Sequence, residues 1–128
     1  MKYGITREVD LDFDTAIERV TEELSKEGFG VLTEIDVKAT LKKKLDVDRR
    51  PYKILGACNP HFAHQALELE AELGLLLPCN AVVFEGESGK TIIGAIDAHA
   101  MLGVVGNEAL DPVADEVNDR LKRVIESV

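Results

Sequence analysis

Chemistry in this chain concentrates in two dipeptides, Cys58-Asn59 and Cys79-Asn80, which hold both of its cysteines and set each thiol beside an amide. A thiolate is a nucleophile and a soft metal ligand, and an asparagine amide donates hydrogen bonds to a ligand carbonyl or carboxylate. Cys58 precedes Asn59-Pro60, an asparagine cap followed by proline at a first helical position. It should therefore lie beside the unpaired N–H groups at the positive end of a helix. A thiol in that setting is a better nucleophile, and one reading is a redox pair in which Cys58 is oxidised and Cys79 resolves it. The plainer reading is two buried cysteines packed as small apolar residues. Neither thiol lies in a Cys-x-x-Cys pair or a cysteine-protease signature.

A metal site is a further reading. Cys58 and His61 are spaced Cys-x-x-His, and His64 lies three residues beyond His61, on the same helix face. With Cys79, the set Cys58, His61, His64 and Cys79 offers thiolate and imidazole ligands for a divalent metal. Structural zinc sites carry two closely spaced ligand pairs and here there is one, so surface or capping histidines compete with this reading. Asp97 and His99, two apart near a strand end, could orient one another, but no serine nucleophile motif accompanies them, and an ordinary polar pair is the simpler account. As a ligand site, Cys58, Asn59, Cys79 and Asn80 are the candidates. Asn59 also reads as a cap, and Asn80 starts an apolar strand.

The elements that must position these groups follow from periodicity. Tyr3, Ile5 and Val9, with Met1, alternate with polar residues as a first strand. Asp12 caps a helix with Phe13, Ile17, Val20 and Leu24 on one stripe, and Gly28 ends it. Phe29 to Ile35 alternates as a second strand, and Asp36 caps a short helix carrying Val37, Leu41 and Leu45, which Arg49-Arg50-Pro51 breaks. Tyr52 to Ala57 reads as a third strand. The next helix has Phe62, Ala66, Leu69 and Leu73 on its stripe and closes at Gly74. Ala81 to Phe84 and Lys90 to Ile96 form a hairpin around Gly86-Glu87-Ser88-Gly89, and a last helix follows Asp111-Pro112. Met101 to Gly106 is an apolar loop, a kind of segment that is tucked into the core, packed in a subunit interface or placed over a pocket.

The order β-α-β-α-β-α-β-β-α predicts an α+β fold: a mixed or antiparallel sheet of about five strands with helices mainly on one face. At 128 residues, 45% apolar and 30% charged, the chain reads as one domain over 1–128. A net charge of −9 argues against nucleic acid or an anionic membrane as the main partner. The exception is the run Lys42, Lys43, Lys44, Arg49 and Arg50, read as a solvated helix face or an anion-binding patch. The amino-terminal residues have no apolar core like that of a signal peptide, and no stretch is long enough for a membrane span, so a cytoplasmic location with reduced thiols is expected.

The segments Lys44-Leu45-Asp46-Val47-Asp48, Tyr52-Lys53-Ile54-Leu55-Gly56-Ala57-Cys58-Asn59-Pro60, Ala63-His64-Gln65-Ala66-Leu67 and Gly74-Leu75-Leu76-Leu77-Pro78-Cys79-Asn80 carry a resemblance that spans essentially the whole chain. Together they resemble the domain-of-unknown-function family numbered 302. The two Cys-Asn elements, with Leu-Leu-Pro before the second, are the most specific part. The resemblance implies a small α+β domain similar to a single TBP-like unit, a homodimer, and the two cysteine positions close together in one site. It brings no activity. The expected functions are thus a small-ligand or metal-binding homodimeric domain, a thiol-dependent redox protein using Cys58 and Cys79, or a structural dimerisation unit.

Overall fold

In the computed structural model, which describes residues 3–128, the period-two segments form strands β1 (Gly4–Val9), β2 (Gly30–Asp36), β3 (Tyr52–Cys58), β4 (Cys79–Glu85) and β5 (Thr91–Ile96). The helices are α1 (Phe13–Lys26), α2 (Val37–Leu45), α3 (Pro60–Leu69), α4 (Ala98–Gly103) and α5 (Asp111–Ser127). Every neighbouring pair in the sheet order β1-β5-β4-β3-β2 is antiparallel, which resolves the mixed-or-antiparallel expectation.

Alternation along the central strands sends Leu55, Ala57, Cys79, Ala81, Val83, Ile93 and Ala95 to one face, where they are buried. Helices α1 and α5 lie against that face. They bury Val20 and Leu24 from one and Val117, Leu121 and Val124 from the other. Each such aliphatic side chain contributes roughly 1.5–3 kcal/mol when fully buried. The helix starts use local side chains as the sequence predicts: Asp12 accepts from the Thr15 N–H at 2.8 Å and Asp36 from the Ala39 N–H at 2.9 Å. Gly28, at φ +86°, ends the α1 turn in the left-handed region that favours glycine.

Several expectations shift. The α3 helix stops at Leu69, not Gly74, because Glu70 turns extended (φ −142°, ψ 101°), and Ala71–Leu75 continue as a separate tight 3-10 turn that still buries Leu73. Met101 to Gly106 is not simply a loop: residues up to Gly103 belong to α4. That helix exists because Asp97 caps it, accepting from the Ala100 N–H at 3.0 Å, while Asn118 on α5 accepts from the Ala98 N–H at 2.6 Å. Tyr3 lies outside β1 and is 66% exposed; the proposed strand start at Met1 lies outside the described residues.

Candidate functional site

Helix α3 leaves the end of β3 with Phe62, Ala63 and Ala66 turned inward. Two of these three are alanines, so the helix stands off from the sheet without side chains long enough to fill the gap. Residues Leu77 to Cys79 close one side, and Met101 and Leu102 of α4 with Val113 and Val117 of α5 close the other. The result is a cavity of about 380 Å³ that reaches the surface where two lining leucines, Leu32 (69%) and Leu67 (39%), are exposed. Among the described residues no Asp, Glu, Lys, Arg or His lines it; its polar side chains are Thr33, Cys58, Asn59 and Cys79.

Both cysteines are free and both line this space, Cys58 half-buried and Cys79 buried. Their strands are neighbours, with Cys79 opposite Ala57 in the β3–β4 ladder. Burial, and secondarily the charge Cys58 would carry, pushes the Cys79 thiol up from 9.0 to about 11. At neutral pH it keeps its proton, which makes it a poor resolving thiolate.

The asparagines part company. Asn59 occupies the cap position of α3 by backbone geometry, yet its side chain makes no capping bond. Its Nδ2 instead donates to the Glu27 carbonyl at 3.3 Å, in the turn that ends α1. Asn80 is exposed and paired in register with Gly56, one residue out of phase with Cys79, so it points to the opposite side of the sheet. The Cys-Asn dipeptides therefore contribute three side chains to the cavity, not four.

His61 and His64 do share a helix face, as their spacing predicts, but that face is exposed and neither lines the cavity, because Phe62, Ala63 and Ala66 occupy the inward side. Among the described residues no group of three or more His, Cys, Asp and Glu side chains is placed to hold a metal ion. The set Cys58, His61, His64 and Cys79 is thus not assembled into one coordination sphere. Asp97 and His99 have separate partners. Burial alone would raise the Asp97 carboxyl, but hydrogen bonds from the Ala100 N–H and Asn118 outweigh it and hold the group below its ordinary value. His99 Nε2 meets Asp115 Oδ1 at 2.7 Å.

Sequence reasoning missed Ala63 and Val117 as cavity walls, whereas Met101 and Leu102 belong to the apolar segment read as one that can lie over a pocket. A signal existed in the two alanines on the α3 stripe, where larger side chains would have filled the space, and in the apolar segment after His99.

The profile of the family described as "Domain of unknown function DUF302" matches residues 5–128. A crystal structure of an uncharacterized conserved DUF302 protein from Bacillus stearothermophilus is 32% identical to this chain, covers 98% of each chain and superposes with a TM-score of 0.91. No curated protein matches.

Proposed function

The chain belongs to the DUF302 family, and from that premise we propose that it is a binding domain for a small, uncharged, largely apolar molecule held in the cavity between α3, α4 and the β3–β4 edge of the core. The cavity itself carries this reading: about 380 Å³ of space with no charged or imidazole side chain among the described residues of its walls. That size falls within the range of small-molecule sites, and such walls favour apolar surface while penalising a buried, unpaired charge. Thr33, Cys58 and Cys79 supply a hydroxyl and two thiols that could orient one weakly polar end of a ligand. Without a carboxylate or imidazole among the described wall residues, and with the Cys79 thiol held protonated at neutral pH, the wall favours binding over acid–base catalysis.

Met101 makes this directly testable, because it lines the cavity. In protein labelled with 13C at the methionine methyls, benzene or a short alkanol should move the Met101 signal saturably. If that signal stays in place, or drifts linearly without saturating, the cavity does not take up apolar ligands and the proposal fails.

A further inference from the structure

The two thiols of the cavity are not equivalent. Cys79 is 8% exposed, and among the described residues its sulfur has no hydrogen-bond partner. Burial keeps it protonated up to about 11, so it meets the cavity as an unpaired S–H donor and not as a nucleophile. Cys58 is half-buried at the last position of β3. Its partner in the β2–β3 ladder is Gly30, and no atom lies within 4 Å of the place where a Cβ on Gly30 would stand. Open space is thus left beside Cys58 on the β2 side.

Donors lie next to this thiol as well. Helix α3, ten residues long, begins directly after Cys58-Asn59. Pro60 at its first position has no N–H, and Asn59 sends its amide to Glu27 instead of capping the helix. Ala63 donates to the Asn59 carbonyl, but the His61 and Phe62 N–H groups have no acceptor among the described residues. These are the donors that a capping oxygen ordinarily satisfies, and the turn that carries them places Asn59, Phe62 and Ala63 on the cavity wall.

A reachable thiol, an apolar space and neutral hydrogen-bond donors specify an electrophile. It is uncharged, because no cation or carboxylate among the described residues lines the walls. It carries a short apolar chain, and it presents an oxygen that gains negative charge as sulfur attacks, which the free N–H groups and the Cys79 S–H favour. A small aliphatic aldehyde meets all three conditions.

Resting on the apolar-cavity reading above, we propose that the ligand is a small aliphatic aldehyde held reversibly on Cys58 as a hemithioacetal. The Cys58 sulfur bonds to the carbonyl carbon as the C=O π bond breaks, and the proton lost by the thiol ends on the oxygen. No oxidant, reductant or co-reactant enters, and the reverse step releases the aldehyde unchanged. Hexanal labelled with 13C at its carbonyl carbon tests this on the purified full chain, beside the benzene titration of the Met101 methyl signal. Wild type should convert the label to a hemithioacetal signal, distinct from that of the free hydrate, at an aldehyde concentration roughly tenfold or more below that needed with N-acetylcysteine. Cys58→Ala should abolish this signal and keep both its circular dichroism spectrum and its response to benzene; Cys58→Ser repeats the test with the side-chain size kept. Glyoxylate, an anionic aldehyde, should show no such advantage over N-acetylcysteine. A wild-type chain that takes up benzene but gives no hemithioacetal signal, or none beyond that of N-acetylcysteine, overturns the proposal and leaves the cavity reading standing. A signal that survives in both Cys58 variants also overturns it. A Met101 signal unmoved by benzene overturns both readings.

Discussion

Asn59 Nδ2 donates to the Glu27 carbonyl at 3.3 Å, tying the start of α3 to the end of α1 across 32 positions. Arg120 Nη1 donates to the same carbonyl at 2.9 Å, and its guanidinium lies 5.1 Å from the Phe62 ring centre. The wall of the cavity is therefore held by a polar clasp on one backbone oxygen. Gly28 permits it twice over: its φ is +86°, and a Cβ there would stand 3.0 Å from Asn59 Nδ2.

Removing the clasp should destabilise the protein without emptying the core. Asn59→Ala should cost about 1–2 kcal/mol in urea unfolding. Gly28→Ala should cost at least as much, from backbone strain and from displacing the amide. In the double variant the amide is gone and only the strain remains, so the combined loss should be smaller than the sum of the single losses. Strict additivity would show that the two residues do not interact.

Alkaline pH tests the burial of Cys79. In the folded protein this thiol holds its proton until about 11, against the ordinary 9.0 that applies once the chain unfolds. Its contribution to stability is complete below pH 9 and is lost as pH rises through the folded value. Wild type should lose roughly 2–3 kcal/mol more than Cys79→Ala between pH 8.5 and 11. Comparing the two variants at each pH cancels the titration of lysines. Parallel curves would mean that Cys79 is not shielded as described.

Gly56 is the tight point of the outer sheet face beneath the cavity mouth. A Cβ there would collide with the Thr33 side chain and come within 2.9 Å of the Pro78 ring, and both residues line the cavity. Gly56→Ala should therefore lower stability by roughly 1–3 kcal/mol and shift the Met101 methyl signal. Gly74→Ala, where a Cβ meets nothing within 4 Å, serves as the control.

Much of the architecture was legible in the sequence because short-range rules govern it. Alternation located the first two strands, and apolar runs bounded by turn residues located the other three; Asp12 and Asp36 announced their helices, and Gly28 marked a turn. The site was legible only in part. Cys58 and Cys79 were recognised as neighbours through family resemblance, and the structure has them lining one cavity. Whether Asn59 caps its own helix or reaches Glu27 depends on where α1 ends in space, which no local pattern encodes. The outward turn of His61 and His64 follows from which side of α3 faces the sheet. Asn80 was misjudged as a cavity group although strict alternation after Cys79 already sends it to the opposite face.

The central claim concerns the space beside Ala63, and filling that space tests it most directly. A neutral solvatochromic fluorophore should bind wild type saturably, with blue-shifted emission. Ala63→Phe places a ring into the cavity, and should weaken that binding roughly tenfold or more while leaving the thermal midpoint unchanged or higher. An anionic analogue of the same dye should bind wild type far more weakly, since no cationic side chain among the described residues lines the walls. Equal binding of the neutral dye by wild type and a folded Ala63→Phe protein would contradict the account.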